Sequence, residues 1–142
     1  MNKTIVVIDG MGGGIGAQLI SRLREILGEK QDIIALGANS VATERMLKAG
    51  ATKGATGENA VKVSVRLGDF IMGPIGIVIS NSMMGEITPV MTDAILSAPG
   101  ERILLPLKNE HFTLPGFESM PFAKSIELAV EAVKERITGG EA

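Results

Sequence analysis

A chain of 142 residues with 18 Gly, no Cys, no Trp and no Tyr has the length of one domain, residues 1–142, around an aliphatic core. A net charge of −2 gives no bulk attraction to nucleic acid or anionic membrane, and four Phe give little for base stacking. Without cysteine there is no disulfide framework, thiol nucleophile or thiolate metal site, and the single histidine excludes a His-cluster metal site within one chain.

The N-terminus leads into Thr4-Ile5-Val6-Val7-Ile8-Asp9, an apolar run expected of a strand buried on both faces. The run is shorter than the roughly 7–15 apolar residues of a signal-peptide core, and nothing later approaches a membrane span. A soluble, cytoplasmic domain is therefore expected. Gly10-Met11-Gly12-Gly13-Gly14-Ile15-Gly16 follows, and then Ile15, Leu19, Ile20, Leu23, Ile26 and Leu27 recur at helical spacing until Gly28. Asp32 to Leu36 reads as a second strand. Gly37-Ala38-Asn39 comes next, before a helix capped by Ser40 and ended by Gly50.

Thr52 to Gly57 suggests a very short strand and a turn. Residues 58–68 carry two patterns at once. Val61, Val63, Val65 and Leu67 alternate with polar residues, as on a strand, while Glu58, Lys62 and Arg66 stack at helical spacing. Helix is chosen, because parallel neighbours need a crossover and no other segment supplies one. Ile75 to Ile79 reads as the central fourth strand, with Asp69 to Pro74 leading in. After the loop Ser80 to Ile87, Thr88-Pro89 opens a helix that Pro99-Gly100 ends. Arg102 to Pro106 is expected as the fifth strand, Leu107 to Ser119 as a long connection, and Phe122 to Ile137 as the last helix.

Strands and helices alternating in this way specify a three-layer α/β sandwich around a parallel sheet of about five strands. Ligands of such sheets sit at the carboxyl ends of the strands, where the strand order reverses. The residues just after each strand are therefore the informative ones.

The densest signal is the glycine loop. Five of the seven residues from Gly10 to Gly16 are glycine, each at a cost in backbone entropy. Between a buried strand and an amphipathic helix, glycines let backbone N–H groups and the helix N-terminus approach a phosphate. Gly10, Gly12, Gly13, Gly14, Ile15 and Gly16 are thus candidate cofactor-binding residues. G-x-G-x-x-G fails at Ile15, and no Lys-Ser or Lys-Thr follows as a Walker loop requires. G-x-x-x-G-x-G fits Gly10, Gly14 and Gly16, and so resembles the cofactor loop of the short-chain dehydrogenases, whose motif has threonine at the place of Asp9. Those enzymes work through a Tyr-x-x-x-Lys pair. With no tyrosine, this chain cannot run hydride chemistry in their manner.

More of the chain is similar to an uncharacterised family of short bacterial Rossmann-like proteins beginning Ile-Asp-Gly-x-Gly-Gly-Gly-Ile-Gly, here Ile8 to Gly16. Gly54 to Asn59, Gly73 to Gly76 and Asn81 to Pro89 carry the same resemblance. It implies a Rossmann-like fold, without an assigned activity; the expectation of a nucleotide-binding type of domain rests on the glycine loop.

Other loops complete the candidate site. An NAD-type site wants an acid at the end of the second strand, and Leu36-Gly37-Ala38-Asn39-Ser40 has none. Asn39 and Ser40, with Arg45 a turn further on, suit a 2′-phosphate, which favours NADP over NAD; a mononucleotide stays open, as does Ser40 acting only as a cap. In the loop Ser80 to Ile87, Asn81 and Ser82 suit a ribose or amide, and Met83 and Met84 suit a ring or plain packing. Thr56 reads as a helix cap, and Asn59 joins the candidate binding residues. Glu86 and His111 are the candidate acid–base residues, His111 for its pKa near neutrality.

The leading expectation is a nucleotide- or dinucleotide-binding homodimer holding a phosphate-bearing small molecule, with no nucleic-acid or membrane partner. The alternatives are a small isomerase or lyase acting on a phosphorylated metabolite, and an interaction subunit whose glycine loop is structural.

Overall fold

The computed structural model describes residues 2–107 and 112–139. Strands β1 (Thr4–Asp9), β2 (Asp32–Gly37), β3 (Lys53–Thr56), β4 (Phe70–Pro74) and β5 (Glu101–Leu105) form one sheet in the order β3-β2-β1-β4-β5. Every pairing is parallel. Helices α1 (Gly14–Leu27), α2 (Ser40–Lys48), α3 (Glu58–Ser64), α4 (Pro89–Ser97) and α5 (Phe122–Gly139) connect and cover it.

The period-2 alternation of β1 divides the core into two layers. Ile5 and Val7 pack with Leu19, Leu23, Met46 and Val130 beneath α1, α2 and α5. Val6 and Ile8 pack on the other face with Val61, Val65, Met91 and Ile95, beneath α3 and α4. Both layers are largely aliphatic, and β1, β2 and β4 are buried almost throughout, whereas the edge strand β3 is mostly exposed. The fold is the expected three-layer α/β sandwich, with five parallel strands.

Strand order reverses between β1 and β4, because the chain steps outward through β2 and β3 and then returns to the far side of β1. The loops after β1 and β4 therefore lead away in opposite directions and leave a crevice at their carboxyl ends. That crevice lies beside the glycine loop.

Four local expectations are corrected. The strand expected at Ile75 to Ile79 lies earlier, at Phe70–Pro74, and Ile75–Val78 is a 3₁₀ turn with Ile77 wholly buried. Short apolar runs do not distinguish a buried strand from a buried turn. Here register decides: Ile5 pairs with Phe70 and Val7 with Met72. The fifth strand starts one residue early, at Glu101. Asn39, not Ser40, caps α2, its side chain accepting from the Ala42 N–H at 2.8 Å. Thr56 does not cap α3; Gly57 holds that place, and the Thr56 hydroxyl donates to Thr43 Oγ1 at 2.8 Å.

The ambiguous stretch is helical. Val61 and Val65, one turn apart, are buried, whereas Val63 is 62% exposed. A strand would have buried all three on one face. No helix among the described residues is long and apolar enough to cross a membrane.

Candidate functional site

Asp9, the last residue of β1, is 2% exposed. Its carboxylate folds back under the loop that follows. Oδ1 accepts from the Gly10 N–H and Oδ2 from the Gly16 N–H, both at 2.8 Å. Burial pushes this carboxyl above its ordinary value, the amides of Gly16, Gly10 and Ile15 pull it back, and the charge of Glu86 adds to the rise. Asp9 thus clamps both ends of the glycine loop from below, a role the sequence did not disclose. The available sign was an acid ending a strand buried on both faces, where acids rarely sit unpaired.

The loop's glycines separate into two groups. A Cβ on Gly13 would lie 2.6 Å from Ala42 Cα, and its φ of +74° is left-handed. At Gly16 it would meet Met46 Sδ at 2.6 Å, and at Gly10 both Glu86 Oε1 and Met83 Sδ at 2.8 Å. Backbone contact and φ require glycine at Gly13, whereas at Gly10 and Gly16 a side chain would displace the ends of flexible neighbours and press on Ala38 Cβ at 3.2 Å or Asp9 Cβ at 3.0 Å. Gly12 and Gly14 differ, for the nearest atom to an added Cβ is 3.9 Å away at Gly12 and 3.4 Å away at Gly14. Neither has a left-handed φ. Among the described residues their N–H groups also meet no acceptor. Gly14 is the first residue of α1 and Gly12 lies just before its N-cap Gly13, at the positive end of the helix dipole.

Arg45 reaches this spot from α2. Its Nη1 lies 3.4 Å from the Gly12 carbonyl and the same distance from the Cβ position of Gly14. Among the described residues it pairs with no carboxylate. Two unpaired amides, a helix N-terminus and an exposed guanidinium thus lie close together along the loop.

Glu86 stands at Met11, the residue directly before Gly12. Its Oε1 accepts from the Met11 N–H at 2.6 Å, and its Oε2 accepts from Asn39 Nδ2 at 2.8 Å. Asn39 also donates to the Met11 carbonyl, while its Oδ1 caps α2. The loops after β1, β2 and β4 are joined by these bonds.

The loop bearing Glu86 is unusual in its backbone. Asn81, Met83, Met84 and Gly85 all have left-handed φ, of 67°, 55°, 57° and 88°. Ser82 is buried, and its hydroxyl donates to the Gly76 carbonyl at 2.6 Å; Asn81 and Ser40 are exposed. Met83 lines the crevice at Gly10, while Met84 stands 91% exposed. Asn59 is exposed in the first turn of α3 and does not line the crevice. His111 lies outside the described residues.

A cleft of about 390 Å³ opens over Gly10 to Ile15 and is also lined by Gln18, Met83 and Phe122. Phe122 was not anticipated, since α5 brings it in from far along the chain, and Gln18 lies beside the loop on α1. A wider groove of about 820 Å³ runs between α3 and α4 past Lys62 and Val90, away from this loop. Among the described residues no group of three or more His, Cys, Asp or Glu is placed to hold a metal ion.

No curated protein matches the sequence. A solved structure of an imine reductase from Myxococcus stipitatus, the V8 variant in complex with NAD+, is similar over 75% of this chain, at 18% identity and a TM-score of 0.44. This chain spans 33% of that protein. Residues 4–138 match the model of the family described as a domain of unknown function, DUF3842, and the chain belongs to that family.

Proposed function

We propose that the protein binds a nucleotide, with a phosphate held by the N–H groups of Gly12 and Gly14 and a further, 2′-phosphate by Arg45. The observation that carries this reading is that neither glycine is required by packing. A residue with room for a side chain and no left-handed φ gains nothing internal from being glycine. What it provides is an open approach to backbone donors at a helix N-terminus, which a phosphate uses. The cleft above them, flanked by Met83 and Phe122, suits an apolar ring.

A dinucleotide of the NADP type fits best. The end of β2 carries no acid to accept from a ribose diol, and Arg45 stands nearby as a cation for a further phosphate.

The test is thermal melting of the purified protein with NADP, NAD or ATP at millimolar concentration. At a hundred times Kd a ligand adds about 2.7 kcal/mol, enough for a clear rise in Tm. Gly14→Asp, which places an anion at the start of α1 where the helix tolerates it, keeps the fold and removes the shift. If no phosphorylated ligand moves the melt, the reading is wrong.

A further inference from the structure

We infer that Glu86 is a built-in competitor for the glycine loop: its carboxylate occupies the Met11 N–H that an incoming phosphate would reach, and tight binding requires it to leave. This deepens the nucleotide reading and rests on it. Met11 lies between Gly10 and Gly12, so the amide that Glu86 holds is one residue from the unpaired amide of Gly12. A carboxylate oxygen at 2.6 Å on the Met11 amide makes the charge-assisted contact that a phosphate oxygen would make.

The placement is close. A Cβ on Gly10 would meet the same oxygen at 2.8 Å, so the carboxylate lies against bare backbone. The Asn39 amide fixes the second oxygen, and Asn39 cannot turn over, because its own oxygen caps α2. Glu86 is therefore aimed at the loop rather than resting there by chance. With buried Asp9 beneath, two acids flank the turn, and a phosphate arriving there meets like charge.

The carrier of Glu86 is suited to moving. Three non-glycine residues of its loop sit in the left-handed region, which stores strain, and Met84 at its tip has almost no cover. Its ends are held by buried Ser82 and Ile87. Release of Glu86 would leave those anchors in place and let the tip relax. Ligand affinity is then reduced by the fraction of molecules in which the carboxylate sits on Met11.

The experiment compares Glu86→Gln and Glu86→Ala with wild type, using NADP and inorganic pyrophosphate as probes in calorimetric titrations. Glutamine removes the charge and cannot satisfy Met11 and Asn39 together; alanine removes the latch entirely. Both variants are expected to bind NADP about tenfold more tightly or better, and to bind pyrophosphate where wild type binds it weakly. Amide hydrogen exchange without ligand should show faster exchange at Met11 and across residues 81–86 in both variants. If wild type binds NADP and both variants bind it equally or more weakly, the competitor role is overturned while the nucleotide reading stands. Unchanged exchange at Met11 overturns the latch whatever the affinities. If neither wild type nor variants bind either probe, both readings fall together.

Discussion

Asp9 Oδ2 accepts from the Gly16 N–H at 2.8 Å, while the other oxygen of the same carboxylate holds Gly10, so one buried acid spans the whole glycine loop. The carboxyl titrates above its ordinary 3.8, chiefly through burial. Between that value and its raised one, the folded chain holds more protons on Asp9 than the unfolded chain does. Its contribution to stability therefore falls as pH rises across the interval and is level above it. Denaturant unfolding of wild type and Asp9→Asn across this range checks the claim. The stability difference between them should shrink with rising pH and then stay constant. At neutral pH Asp9→Asn should still cost about 1–3 kcal/mol, because one of the two loop amides then faces an N–H donor.

Much of the fold was legible and little of the site's wiring was. β1 and β2 could be read because strands buried on both faces are continuous apolar runs, and the 3.6-residue spacing of Leu19 and Leu23 marked α1. β4 was misplaced because Ile75–Val78 has the composition of a buried strand but folds as a turn after Pro74. The glycine loop announced itself by density. Which of its glycines are crowded depended on Ala42 and Met46, which α2 brings from far along the chain. The bond from Met11 to Glu86 spans 75 residues, and no local pattern encodes such a contact.

The division among the glycines gives a direct stability test. Gly13→Ala forces a left-handed residue, at about 1–2 kcal/mol, and drives its Cβ into the backbone of Ala42. The total loss should be about 2 kcal/mol or more in equilibrium unfolding. Gly12→Ala and Gly14→Ala meet no such barrier and should be neutral, or stabilising by up to about 1 kcal/mol through the unfolded state. Either of these two falling as far as Gly13→Ala would contradict the sorting of the loop.

Asn39 can be probed by two substitutions whose order is diagnostic. Asn39→Ala removes the cap of α2 and should cost about 1 kcal/mol. Aspartate keeps a capping oxygen for the Ala42 N–H, so a residue acting only as a cap would tolerate it. Its second oxygen, however, would face the Met11 carbonyl and Glu86 Oε2, where Nδ2 now donates to both. Asn39→Asp should therefore be at least as destabilising as Asn39→Ala at neutral pH. In a Glu86→Gln background that penalty should shrink. A harmless Asn39→Asp would mean that the bridge to Glu86 contributes nothing.

Arg45 separates a dinucleotide carrying a 2′-phosphate from one that lacks it. Its guanidinium stands at the Gly12 carbonyl and, among the described residues, is bound to no acid, so it has charge to offer a ligand. A charge-assisted bond of this kind contributes about 1.5–3 kcal/mol where water is excluded, and less at so exposed a position. Arg45→Met, which keeps much of the side chain's length and loses its charge, should weaken NADP binding about tenfold. NAD binding should change far less, since only the 2′-phosphate is missing from it. Titrations of both nucleotides against both proteins measure the ratio directly. An equal loss for NADP and NAD would place Arg45 on the shared pyrophosphate instead, and no loss for either would remove it from the site.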